Sequence, residues 1–116
     1  MRKPQIKTIE LQLIETLHNA SQESKLAQIF NHVREHCAED DFLGNENLKE
    51  SVFKLIYIKN VYKWKTVEGL RQEVCIDNKT LLKLRKEFLF LFAKLYFNET
   101  TLSNELLILF FNELSD

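Results

Sequence analysis

Apolar residues recur at helical spacing from the start of the chain. Ile6, Ile9, Leu13, Ile14 and Leu17 share one face, and the pattern ends at His18-Asn19-Ala20-Ser21, which predicts a first helix over 5–19. Leu26, Ile29, Phe30 and Val33 repeat the pattern and predict a second helix over 22–38. Ser21 is its candidate N-cap, and Glu39-Asp40-Asp41, unfavourable at the negative end of a helix dipole, marks its close. Asn47-Leu48-Lys49-Glu50 then has the form of a capping box, with Leu48, Val52, Leu55 and Ile56 following on one face. A third helix therefore starts near 46. Tyr57 to Lys65 is rich in β-branched and aromatic residues and is compatible with a strand, but helix to about 63 is the better reading.

The last third is the most apolar. Phe88 to Ala93 and Leu95 to Phe97 would cover every side of a helix, and Leu106 to Phe111 nearly does so after the polar break 98–103. Such helices need cover on all faces, from the centre of the domain or from a second copy across a symmetric interface. Alternation of Phe88, Phe90 and Phe92 also fits the hairpin of a winged helix. The connecting NETTLSN lacks Gly, however, and Leu, Phe and Glu outnumber Val and Thr, which favours helix.

Residues 66–86, TVEGLRQEVCIDNKTLLKLRK, resist assignment to one straight helix. Ile76 would point away from the stripe of Leu70, Val74, Leu81 and Leu84, and Gly69, Asp77 and Asn78 would sit in the helix interior. A break at Cys75-Ile76-Asp77 resolves each conflict. Thr66 becomes an N-cap, Glu68 lies in the first turn, and Asp77 caps a second helix starting at Asn78. The chain as a whole then reads as an all-α bundle of about six helices.

Composition agrees. The 116 residues are 45% hydrophobic with nine Phe, enough for a core, and two Gly and one Pro are too few for a protein of many tight hairpins. A single helical domain over 1–116 is expected. Cys37 and Cys75 stand far apart and no apolar export signal follows Met1-Arg2-Lys3-Pro4, which predicts a reducing, cytoplasmic setting without disulfides. The sequons at Asn19, Asn78 and Asn98 are then chance matches. The apolar run 88–97 contains Lys94 and falls well short of the roughly 20 residues needed to span a bilayer, so no membrane association is expected.

Net charge is only −1, yet it is segregated. Residues 46–86 carry ten basic and five acidic groups, whereas 87–116 carry one and five. A basic region attracts phosphates even on a near-neutral molecule. Residues 66–86, with Leu70, Val74, Ile76, Leu81 and Leu84 at their apolar positions, the Thr-x-x-x-Leu opening and the Thr80-Leu81-x-x-Leu84-Arg85 run, resemble the helix-turn-helix of DNA-binding proteins. Two residues depart from the common pattern. Arg71 stands where most members carry a small residue at the helix crossing, and Cys75 replaces the Gly of the turn, where positive φ is often needed.

What the resemblance implies is a second helix lying in the major groove of double-stranded DNA, with Asn78, Lys79, Leu82 and Lys83 facing base edges and Arg85 and Lys86 suited to phosphates. Thr66 and Arg71 would contact phosphates from the bracing helix. The side-chain chemistry fits: Asn pairs with adenine, Lys with guanine acceptors, and Leu touches a thymine methyl. The task implied is regulation of transcription, or an accessory role in DNA rearrangement, by a homodimer joined through the apolar C-terminal helices. A helical protein-interaction module without DNA affinity is the alternative.

Other motifs carry less. His32-Val33-Arg34-Glu35-His36 fits the H-x-x-E-H pattern of inverted zinc proteases, but no third ligand or substrate chamber is evident, and a solvated helix face accounts for it. Trp64, Tyr57 and Tyr62 among Lys59, Lys63 and Lys65 could stack single-stranded bases, though such aromatics more often belong to a core. No activated nucleophile, phosphate loop or dinucleotide fingerprint is present, so neither catalysis nor a metal or other cofactor is expected.

Overall fold

The computed structural model describes residues 5–39, 48–98 and 103–115. They form six α-helices: α1 (Ile6–Asn19), α2 (Lys25–Glu39), α3 (Leu48–Phe53), α4 (Val67–Val74), α5 (Asn78–Phe97) and α6 (Asn104–Ser115). No strand occurs among the described residues. The hairpin reading of 88–97 is thereby replaced by the second half of a 20-residue helix.

Two boundaries differ from the sequence expectation. Helix α2 begins three residues later than 22, because Ser21 closes a turn through its carbonyl to the Ser24 N–H (3.0 Å). Ser24, not Ser21, then caps the helix, its hydroxyl accepting from the Ala27 N–H at 3.1 Å. The third helix does not run unbroken to 63. After Phe53 it widens into a π-helical turn, Lys54–Ile58, closed by the Lys59 N–H on the Lys54 carbonyl (2.9 Å). Asn60 then turns left-handed (φ 49°, ψ 62°), and only a short 3₁₀ turn, Val61–Lys63, precedes α4. Asn47 of the expected capping box, and Asp40 and Asp41, lie outside the described residues.

Helix α5 runs through the middle of the bundle and packs against each of the other five helices. Phe53 is the hub: its ring lies 5.4 Å from Phe30, 5.0 Å from Tyr57 and 5.3 Å, edge-on, from Phe88. Phe88, Leu89 and Phe92 of α5 and Phe110 of α6 are fully enclosed, each contributing roughly 1.5–3 kcal/mol by burial. Much of the apolar last third is thus core. Helix α6 also ties back to α1, where the Gln12 amide donates to the Leu114 carbonyl (2.9 Å). Leu95 and Leu109 remain 44% and 50% exposed, so the apolar surface is not all covered within one chain.

Candidate nucleic-acid interface

The basic region is built on the corner between α4 and α5. Thr66 opens α4, its hydroxyl oxygen accepting from the Gly69 N–H at 3.0 Å. Glu68 in the first turn pairs with Arg71 through its Nε at 3.0 Å, which holds the Glu68 carboxyl below its usual range. After Val74 the chain reverses. Cys75 sits in the left-handed region (φ 57°, ψ 44°), its N–H bonding the Gln72 carbonyl while the Ile76 N–H bonds the Arg71 carbonyl, both at 3.3 Å. This pair of bonds closes the helix as a Schellman motif. Asp77 begins the next helix by accepting from the Thr80 N–H (2.8 Å), and hydrogen bonding from the Thr80 side chain and then from its N–H lowers the Asp77 pKa. Leu70 and Leu81 are fully buried beneath the corner, with Val74, Ile76 and Leu84 packed against the same core.

Helix α5 has two chemically opposite faces. Lys79, Leu82, Lys83, Lys86 and Phe90 fall within about 100° of arc, and Lys79, Leu82, Lys83 and Lys86 are solvent-exposed, as is Asn78 at the helix start. With Thr80 and Glu87 they line a shallow open groove. None of the three lysines forms an ion pair among the described residues. Glu87, the acid bordering the groove, is held by Lys49 of α3 at 3.2 Å. The chain matches no protein-family model, no curated protein and no solved structure.

Two of the expected phosphate contacts are differently employed. Arg85 points into the protein: it is 7% exposed, and its guanidinium grips the Glu10 carboxylate of α1 from Nη2 (2.6 Å) and from Nε to both oxygens (3.2 Å). It lies across the helix from Lys83 and Lys86, so a residue next to them in sequence is remote from them on the surface. Arg71 is half-buried. Besides pairing with Glu68, it donates to the Ile76 carbonyl at 3.1 Å, strapping the turn. The Arg71 head thus closes the corner between α4 and α5. Thr66 is exposed, with its hydroxyl oxygen committed to the cap.

Glu10 was not legible as a partner, although its position inside the stripe of Ile9, Leu13 and Ile14 was a signal. It is fully buried and also accepts from the Tyr62 hydroxyl (2.9 Å), while Arg85 lies 5.8 Å from the centre of the Tyr62 ring. Burial raises the Glu10 pKa, opposed by the hydrogen bonds and charge of Arg85. Burial alone would lower the Arg85 pKa, but the Glu10 carboxylate outweighs it and the net direction is up.

The remaining motifs separate in space. Tyr57 is core and Tyr62 belongs to the Glu10 cluster, whereas Trp64 is 58% exposed, so the three aromatics do not share a stacking surface. His32, Glu35 and His36 lie exposed on the outside of α2, and among the described residues no three His, Cys, Asp or Glu side chains converge on a metal position. Cys37 is buried and Cys75 exposed, both as thiols. No helix among the described residues is long and apolar enough to cross a membrane.

Proposed function

We propose that the chain binds double-stranded DNA, with α4, the Cys75–Asp77 turn and the start of α5 acting as a helix-turn-helix, and serves as a transcriptional regulator or an accessory factor in DNA rearrangement. The observation that carries the reading is the solvent-facing set Asn78, Lys79, Leu82, Lys83 and Lys86 at the N-terminal end of α5. A helix presenting such a face can enter the major groove, amides and ammonium groups reading base edges while Lys86 meets a phosphate. Arg85 is left out of the contact set, because releasing it would strand Glu10 in the core. No catalytic step is part of this reading. A homodimer through the exposed Leu95 and Leu109 surfaces would present two such helices to a two-fold site, with half-sites about 34 Å apart.

The test is a gel shift against pooled random duplexes at two ionic strengths. Each phosphate-neutralising lysine contributes a slope of about −0.9 to log K against log salt, so Lys86→Ala should flatten the slope by about 0.9, whereas Lys79→Ala with Lys83→Ala removes the base-edge contacts and should abolish retention. Thermal stability should hardly change, since neither lysine is buried or paired among the described residues. Equal retention by wild type and double variant would remove the proposal. Leu82, 40% exposed, and Phe90 give the groove an apolar strip, which favours a second reading, a protein-interaction module. Binding of a protein partner there would respond weakly to salt.

A further inference from the structure

A second concavity, of about 550 Å³, lies where the end of α1, the turn into α2, the first half of α2 and the π-helical turn meet. That volume falls within the 300–1,000 Å³ range of small-molecule sites. Its deeper residues are apolar: Leu17, Ala27, Phe30 and the buried Tyr57. Its rim is polar and one-signed, with Asn31 and Arg34 exposed on α2, His18 at the end of α1, and no Asp or Glu among the lining residues. Arg34 forms no ion pair among the described residues. An unpaired guanidinium over an apolar hollow suits a ligand with one carboxylate and a hydrocarbon body.

The wall of this cleft is also where the chain departs most from regular structure. Tyr57 and Ile58, which line it, belong to the π-helical turn. Asn60, two residues on, is left-handed. The Tyr57 hydroxyl and the Asn60 side-chain oxygen are both buried without a hydrogen-bond partner among the described residues. π-Helical turns and unpaired buried polar atoms occur at sites of function more often than elsewhere. Tyr57 is held by packing alone, so moving its ring breaks no hydrogen bond of its own. That ring lies 5.3 Å from Phe92 and 6.2 Å from Phe88, both on α5.

We propose that the cleft binds a small organic acid with an aryl or short alkyl body, its carboxylate on Arg34 and Asn31 and its body on Phe30 and Leu17, and that occupancy is passed through Tyr57 to α5. The second half rests on the DNA-binding reading; the first does not.

The experiment titrates the full chain with benzoate, 1-naphthoate, indole-3-acetate and octanoate, following amide shifts by NMR. At least one acid should bind saturably with shifts centred on the cleft. Arg34→Gln, or replacing that acid by its neutral amide, should weaken binding at least tenfold, while Lys83→Ala should leave it unchanged. Ala27→Trp, which fills the hollow, should also remove binding. If Ala27→Trp fails to fold, Arg34→Gln decides alone, because Arg34 is exposed and forms no ion pair among the described residues. Failure of all four acids to bind, binding indifferent to Arg34→Gln, or shifts centred elsewhere would each overturn the site. A saturating acid should change duplex affinity at least threefold, and unchanged affinity would overturn the link to α5. A chain that takes the acid but no duplex refutes the DNA reading and leaves the cleft standing; one that holds duplex but none of the acids does the reverse.

Discussion

Cys75 shows how a single residue decides the corner. Its φ of 57° puts an L side chain in the left-handed region, at a cost of about 1 kcal/mol that Gly or Asn would largely avoid. The chain itself uses Asn at its two other left-handed positions among the described residues, Asn60 and Asn98. Cys75→Asn is therefore expected to raise the melting temperature by a few degrees and Cys75→Val to lower it, measured by calorimetry. An Asn variant no more stable than wild type would show that the Cys75 Sγ, 3.5 Å from the Gln72 carbonyl, contributes more than the geometry suggests. The need for positive φ was visible in the sequence, because the helix-turn-helix pattern has Gly there. The role of Arg71 was not, since whether its head turns outward or back onto Ile76 depends on the crossing of two helices.

At the scale of elements, the Glu10–Arg85 pair joins the start of the chain to the middle of α5. It accompanies a rotation of α5 that buries Arg85 and Phe88 and leaves Lys79, Lys83 and Lys86 outside. Glu10→Ala strands a guanidinium in the core and should cost about 3–5 kcal/mol. Glu10→Met combined with Arg85→Met fills similar volume without charge and should be neutral or stabilising by about 1–4 kcal/mol in urea unfolding. A double variant destabilised as much as Glu10→Ala would show that the cost lies in losing the pair itself and not in the stranded charge. The apolar stripes of α1 and α5 were legible in the sequence, and so were a glutamate in one and an arginine in the other. That these two charges meet was not, because nothing in a 3.6-residue period says which faces will oppose each other.

At the scale of the molecule, the residues give a radius of gyration of 13.8 Å, near the roughly 13 Å of a compact 100-residue chain. Its buried apolar residues form one continuous cluster. What the cluster leaves outside, Leu95 and Leu109, bears on oligomeric state. Leu95→Glu with Leu109→Glu should convert a sedimenting dimer to a monomer without loss of helicity. A wild type that sediments as a monomer at micromolar concentration would remove the homodimer and with it the paired half-sites.

The sequence by itself determined that this chain is helical, where most helices lie, and that the stretch 66–86 breaks after Val74. Those outcomes rest on local rules: apolar spacing, caps and backbone freedom act over a few residues. Only the tertiary structure decided that Arg85 faces inward while its neighbours Lys83 and Lys86 face out, that the third helix loosens into a π-helical turn containing Tyr57, and that a cleft forms beside it. These depend on which side chains from distant elements compete for the same space, and a buried carboxylate 75 residues away can redirect an arginine that local pattern would leave in water.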